Sequence, residues 1–183
     1  LCALDFKERR RLAKNTVVVT TMTNLGLHDA MKMAGIRVEV TDVGDRHVID
    51  LMRKRQFNLG GEQSGHIIFM DYVTTGDGII SALHVLKLMI GKNKGISELA
   101  NFMKEYPQKL TNIHVKSKIP IESLPLVRDT VRKCARALGD SGRTMVRYSG
   151  TENKIRILVE AKSASAVAHW TAKLKAAVEK ELC

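Results

Sequence analysis

The spacing of apolar and polar residues differs between the two parts of this chain. In the first part, a continuous β-branched run at residues 17–21 is followed by residues 27–34, whose apolar side chains recur every three or four positions. Continuous runs are typical of buried parallel strands, and the wider spacing is typical of helices. Strands that alternate with helices predict a layered α/β domain with helices on its sheet.

The first part contains further elements of the same kind. Strands are predicted at residues 36–41 and 67–70, and a helix from about 79 to 91. That helix is apolar nearly all round, with a narrow polar row at Ser81, His84 and Lys87, so we expect it to be deeply packed. Asn24 and Asp77 each stand just before a predicted helix and can cap it.

The second part has strands with one polar face. Apolar and charged residues alternate near 113–118 and 155–161, and a third strand is predicted at 143–148. A helix is predicted from a cap at Ser123 to Gly139, and another covers 164–182. This pattern predicts a small α+β domain with an antiparallel sheet. We therefore divide the 183 residues into domains at 1–95 and 110–183, joined by a linker or hinge at 96–109.

The amino-acid composition and net charge indicate which kinds of molecule the chain can bind. The chain is 44% hydrophobic and carries a formal net charge of +11, which suits a globular protein that attracts small anions. It has neither a basic stripe interleaved with aromatic residues nor an apolar run of about 18 residues, so we expect no nucleic-acid partner and no membrane partner. Its three cysteines lack metal-site or disulfide spacing, and we expect a reducing cytoplasm. The first residue is Leu, within an apolar helical pattern, which suggests a piece of a longer protein.

The segment 147–153, Arg-Tyr-Ser-Gly-Thr-Glu-Asn, joins two predicted strands and has the chemistry of a phosphate-binding loop. Arg147 offers a planar fork of donors, and the hydroxyls of Ser149 and Thr151 can donate to further phosphate oxygens. Gly150 lets the backbone approach an anion closely. The alternative is a polar hairpin turn with an exposed arginine.

The segment 62–66, Glu-Gln-Ser-Gly-His, is the second candidate for ligand chemistry. If the segment is extended, Glu62, Ser64 and His66 share one face and can exchange hydrogen bonds with sugar hydroxyls. The alternative is a polar strand end with a structural histidine. Asp45, between a strand and a helix, suits a ligand or a helix cap equally. A metal site at Asp45, His47, Glu62 and His66 is disfavoured, because their spacing matches no ligand pattern.

Taken together, these segments resemble the α-D-phosphohexomutase superfamily, and most specifically its glucosamine branch. The resemblance covers essentially the whole chain. The matching motifs are residues 43–46, 58–69, 71–72, 74–78 and 147–152. Glu-Gln-Ser-Gly-His followed by Thr-Thr-Gly-Asp-Gly is the most specific part, since position 63 commonly differs in related phosphomannomutases and phosphoglucomutases.

The resemblance implies the third and fourth domains of a four-domain isomerase, the first two being absent here. Its activity would interconvert glucosamine 6-phosphate and glucosamine 1-phosphate through a phosphoserine and a bisphosphate intermediate, on the route to UDP-N-acetylglucosamine and the cell wall. Two residue sets carry the implied contacts of this chain. The sugar-binding set is Glu62, Ser64, His66, Asp45 and Arg46, and the set that holds the non-transferred phosphate is Arg147, Ser149, Gly150 and Thr151.

No catalytic residue and no Mg²⁺ ligand is expected in this chain, because the phosphoserine and metal motifs of the superfamily are not found in it. The chain alone should therefore not catalyse, and a homodimer is left open. Tyr148 and Asn153 stand where the superfamily usually has prolines, which should loosen the loop although Tyr148 can pack. Two alternatives remain: a phosphomannomutase/phosphoglucomutase, and a non-catalytic module that binds a phosphorylated ligand.

Overall fold

The structure, a computed structural model, describes residues 1–183 and divides into two units, Leu1–Glu105 and Tyr106–Cys183. The division falls inside the segment predicted as a linker. A hinge role for that segment stays a prediction. No helix is long and apolar enough to cross a membrane.

The first unit is built on a four-stranded mixed sheet in the order β2-β1-β3-β4. The strands are β1 (Thr16–Thr20), β2 (Arg37–Thr41), β3 (Leu59–Gly61) and β4 (Ile67–Phe69). β1 runs parallel to both β2 and β3, whereas β4 returns antiparallel to β3. The carboxyl ends of three strands therefore meet at one edge of the sheet, where ligands usually bind in open α/β folds.

Two apolar clusters cover the two faces of this sheet. The helices are α1 (Cys2–Glu8), α2 (Leu25–Met33), α3 (Asp45–Arg55), α4 (Gly78–Lys92) and α5 (Ile96–Ala100). Val17 and Val19 of β1 belong to the cluster that contains residues of α1 and α2. Val18, on the opposite face, packs with Val48 and Met52 of α3. This alternation explains the continuous apolar run of β1, since both of its faces are buried.

Helix α4 departs from the sequence prediction. It starts at the predicted cap, because Asp77 Oδ1 accepts a hydrogen bond from the backbone N–H of Ile80 at 2.9 Å. The prediction that it is deeply packed all round is wrong, since only one of its residues, Leu88, is buried. One row of large apolar side chains is exposed: Ile79 75%, Leu83 59%, Leu86 50% and Ile90 81%. Nothing in the described chain covers this row.

The second unit has a three-stranded antiparallel sheet in the order β5-β7-β6, with helices on one face. Its elements are β5 (Gln108–His114), α6 (Pro125–Leu138), β6 (Gly142–Tyr148), β7 (Lys154–Ala161) and α7 (Ala164–Leu182). The inward residues of β7 pack with both helices around the fully buried Cys134. The predicted cap at Ser123 is wrong: Ser123 lies in a short 3₁₀ turn, Leu124 precedes α6, and Pro125 begins it. Proline suits this first position because its missing N–H would have no partner there.

Candidate functional site

A tight turn between β3 and β4 brings three predicted site residues together. Ser64 Oγ donates to Glu62 Oε1 at 2.5 Å, and His66 Nδ1 lies 2.8 Å from the same carboxylate oxygen. Ser64 Oγ is also 3.1 Å from His66 Nδ1. The segment is a turn rather than the extended strand considered above, with Gly65 at φ +98°. The backbone reverses there, so the three side chains converge by folding over the turn.

Hydrogen bonds within this cluster shift the pKa values of Glu62 and His66. Donation from Ser64, and then from His66, holds the pKa of Glu62 below its usual value, against the opposing effect of burial. The hydrogen bond to Glu62 raises the pKa of His66. The Glu62 side chain is 9% exposed and that of His66 is 52% exposed. The cluster therefore presents an ionised, shielded carboxylate beside an accessible imidazole that is protonated more readily than usual.

Two other loops at the same sheet edge adjoin this cluster. The backbone N–H of Gly44, just before α3, helps to lower the pKa of Glu62. Gly76, in the turn before α4, lies against His66, and a Cβ added to Gly76 would be 3.1 Å from His66 Cβ. The glycine thus provides the space that the imidazole occupies. All three loops lie at the carboxyl edge of the sheet, where each follows a strand or precedes a helix.

The predicted residues Asp45 and Arg46 lie beside the cluster but do not bond to it. Asp45 Oδ1 accepts from the N–H of Arg46 at 2.7 Å, and its charge helps to raise the pKa of His66. The side chain of Arg46 is 87% exposed, and its Nε lies 3.8 Å from Asp50 Oδ2. Asp45 is thus the first residue of α3, and Gly44 occupies the capping position. A substrate contact for either residue stays a prediction.

The loop between β6 and β7 holds the predicted phosphate ligands. Arg147, near the end of β6, is half-buried, and its side chain makes no hydrogen bond or ion pair within the chain, so the guanidinium donors are available. Ser149 is 2% exposed, and its backbone N–H donates to Lys154 O at 2.8 Å. Gly150 and Thr151 are exposed, and a Cβ added to Gly150 would meet nothing within 4 Å. The loop is closed at its base and open at its tip.

Two cations that contact this loop, Arg156 of β7 and Lys118, were not predicted from the sequence. Arg156 lies directly opposite Arg147 in the sheet register, and its Nη2 donates to Ser149 Oγ at 3.3 Å. Its Nε is buried with no hydrogen-bond partner, which leaves a donor for an anion. Lys118 Nζ donates to Ser149 O at 2.8 Å. Alternation with buried Ile155 and Ile157 predicts that Arg156 lies on the polar face of its strand. Its place opposite Arg147 depends on the strand register, and nothing in the local sequence marks Lys118.

The two departures from the usual prolines are accommodated. Tyr148 packs partly against the apolar core of the second unit, and its hydroxyl donates to Ile119 O at 2.6 Å. The carbonyl of Asn153 accepts from the N–H of Val115 at 3.0 Å. Both contacts tie the ends of the loop to the segment that follows β5, so they replace part of the restraint that proline rings would give. No group of three or more His, Cys, Asp or Glu side chains is arranged so that it could hold a metal ion.

Each of the two units matches a domain of a known protein family. Residues 1–106 match the family model described as phosphoglucomutase/phosphomannomutase, alpha/beta/alpha domain III, and residues 110–177 match that of the C-terminal domain. The chain belongs to the phosphoglucomutase/phosphomannomutase family. Both predicted fold classes are thereby confirmed, with a mixed α/β domain followed by a small α+β domain.

Curated relatives within this family are phosphoglucosamine mutases. That of Chlamydia caviae is 49% identical over 160 residues, which are 87% of this chain and 35% of that protein. That of Nitratidesulfovibrio vulgaris is 46% identical over 182 residues, which are 100% of this chain and 40% of that protein. The chain thus spans well under half the length of these relatives.

Solved structures of the family share the fold. The N-acetylphosphoglucosamine mutase of Aspergillus fumigatus matches 98% of this chain and 42% of its own, with a TM-score of 0.80 at 20% identity. An N-acetylglucosamine-phosphate mutase solved as a substrate complex, a member of the α-D-phosphohexomutase superfamily, matches with a TM-score of 0.72 at 22% identity. At such identities these matches support the fold alone.

Proposed function

We propose that this chain supplies the sugar-binding and phosphate-anchoring parts of a phosphoglucosamine mutase, which interconverts glucosamine 6-phosphate and glucosamine 1-phosphate. The observation that carries the proposal is the hydrogen-bonded cluster of Glu62, Ser64 and His66 at the carboxyl edge of the sheet. The names of its relatives, at 46% and 49% identity, favour the glucosamine branch over phosphomannomutase or phosphoglucomutase.

In this proposal the first unit recognises sugar hydroxyls. The carboxylate of Glu62, whose pKa is lowered by its hydrogen bonds to Ser64 and His66, can accept hydrogen bonds from sugar hydroxyls. The exposed imidazole of His66 offers a second polar contact on the same side. Because the cluster is already hydrogen-bonded without ligand, little side-chain ordering is left to oppose binding.

The second unit anchors a phosphate that is not transferred. Arg147 supplies a fork of charged donors, and the unpartnered Nε–H of Arg156 supplies one further donor. Ser149 Oγ accepts from Arg156, so its own proton remains free to donate to a phosphate oxygen. Thr151 and the N–H of Gly150 stand at the open tip of the loop. Glu152, the one acid in the loop, is engaged by Lys154 at 2.6 Å.

The phosphoserine and the Mg²⁺ of the proposed reaction belong to residues outside this chain. When bound, Mg²⁺ would neutralise charge on the phosphoryl group as it moves. The residues described here bind and orient a hexosamine phosphate. We therefore expect the 183-residue chain to bind ligand without turnover.

Calorimetry with glucosamine 6-phosphate tests this function. Hydrogen bonds to charged groups contribute about 1.5–3 kcal/mol, so Arg147→Ala should weaken binding by about 10- to 150-fold. Arg132→Ala, which removes an exposed arginine of α6, is the matched control for charge and should bind like the wild type. Unchanged affinity in Arg147→Ala would remove the loop from the site. Tighter binding of mannose 6-phosphate would instead favour a phosphomannomutase.

A further inference from the structure

The outer surface of the helix layer in the second unit carries a groove of about 350 Å³ between α6 and α7. The helices run antiparallel, because Glu181 near the end of α7 accepts from the backbone N–H groups of Leu126 and Val127 at the start of α6. The groove lies on the helix-covered side of the unit, whereas Arg147 and Arg156 project from the other face of the sheet. It is therefore separate from the phosphate loop.

The groove exists because small side chains form its floor. Ala176 and Ala177 of α7 leave space between Leu126 at one end and Trp170 at the other. Leu126 is 39% exposed, and Trp170 is only partly buried against the core. An apolar floor with an aromatic end favours an apolar side chain over a fully hydrated ion.

The rim of the groove is uniformly basic. Lys133 of α6 and Lys173 and Lys180 of α7 line it, and no acidic side chain does. None of these lysines takes part in an ion pair within the chain, and Lys173 lies over the Trp170 ring at 5.1 Å. Nearby acids are engaged elsewhere, Glu181 at the start of α6 and Glu179 with Lys175.

From these features we infer that the groove between α6 and α7 binds an acidic amphipathic helix of a partner protein. Lys173 and Lys180 are two helical turns apart, about 10.5 Å along the axis, which matches two carboxylates seven residues apart on a docked helix. Apolar residues between those carboxylates would cover Ala176 and Ala177, as in other helix-in-groove complexes. The groove is open along its length, which suits a helix better than a small molecule enclosed in a pocket.

The test uses a fluorescein-labelled synthetic helix of about 15 residues, with glutamates spaced two turns apart and leucines between them, titrated with the full chain and followed by anisotropy. Lys173→Gln/Lys180→Gln should weaken binding about fivefold, the sum of two exposed charge pairs. Ala176→Leu, which fills the floor, should weaken binding as well. The matched controls Lys109→Gln/Lys116→Gln and Ala168→Leu, outside the groove, should bind like the wild type.

Three results would overturn the inference. The first is equal binding by the groove variants and their controls, with far-UV circular dichroism showing that all are folded. The second is equal binding of a peptide whose leucines are replaced by serine, which would leave no role for the apolar floor. The third is displacement of the labelled peptide by inorganic tripolyphosphate at a lower concentration than the unlabelled peptide requires. The groove would then be a simple anion site.

Discussion

Gly60 links the packing of the first unit to its candidate site, and replacing it with alanine tests that link. A Cβ at this position would be 2.6 Å from Met52 Sδ, 2.7 Å from Val48 Cγ1 and 3.1 Å from Val18 O. Those three neighbours are all 0% exposed, so none can move aside into solvent. The helix α3 would have to move away from β3, which leads directly into Glu62.

The expected cost of Gly60→Ala follows from these contacts. Overpacking a buried site costs about 1–3 kcal/mol, whereas reduced freedom of the unfolded chain offsets about 0.4–1 kcal/mol of that cost. We therefore expect a net loss of about 1–2 kcal/mol in the free energy of unfolding. With a urea dependence of about 1–3 kcal/mol per molar, the unfolding midpoint should fall by about 0.3–2 M.

Urea unfolding followed by far-UV circular dichroism measures this loss. Gly78→Ala is the matched control, because a Cβ there meets nothing within 4 Å and its backbone is compatible with alanine. That variant, in the first turn of α4, should be as stable as the wild type or slightly more stable. A Gly60→Ala protein with an unchanged or higher midpoint would refute the packing argument.

Three further predictions concern the two candidate sites and the cap of α4. Arg156→Ala should weaken calorimetric binding of glucosamine 6-phosphate by about tenfold or more, since it removes a charged donor; affinity equal to the wild type would make Arg156 purely structural. Glu62→Gln should return the raised pKa of His66 toward about 6.5 in an NMR titration, and an unmoved pKa would contradict the hydrogen bond. Because that pKa is raised on folding, the stability it confers is fully present below about pH 6.5 and is lost as pH rises through the folded value, so the urea midpoints of wild type and Glu62→Gln should differ more at pH 6 than at pH 8. Asp77→Ala should cost about 1 kcal/mol by loss of the α4 cap, and the same urea assay would show no shift if the hydrogen bond to Ile80 were not maintained in solution.

Much of the fold is predictable because its signals are local. The β-branched run of β1, the caps at Asn24 and Asp77, and the end of α6 at Gly139 all lie where the sequence predicts them. The misplaced start of α6 is also local, because Pro125 outweighs a serine two residues earlier. The exposure of α4, in contrast, does not follow from a local sequence signal. Hydrophobicity on every face predicts burial only if something covers each face, and periodicity does not reveal what covers it.

The candidate site was predictable in its residue types more than in its geometry. Glu62, Ser64 and His66 come together as the motif suggests, although by a turn instead of by an extended strand. The role of Arg156 depends on the register of two strands, and that of Lys118 on a loop 31 residues away from Ser149. Such non-local pairings are fixed only when the whole sheet forms.

The turn at residues 62–66 has a consequence for how such a protein can diversify. Its Glu62–Ser64–His66 contacts are made within five consecutive residues, and Gln63 and Ser64 are exposed at its tip. Substitutions there meet few packing constraints, and surface changes usually alter stability by less than about 0.5 kcal/mol. If the turn contacts sugar hydroxyls as proposed, selection can therefore change which hydroxyl pattern is accepted one residue at a time, while the strands beneath keep their sequence.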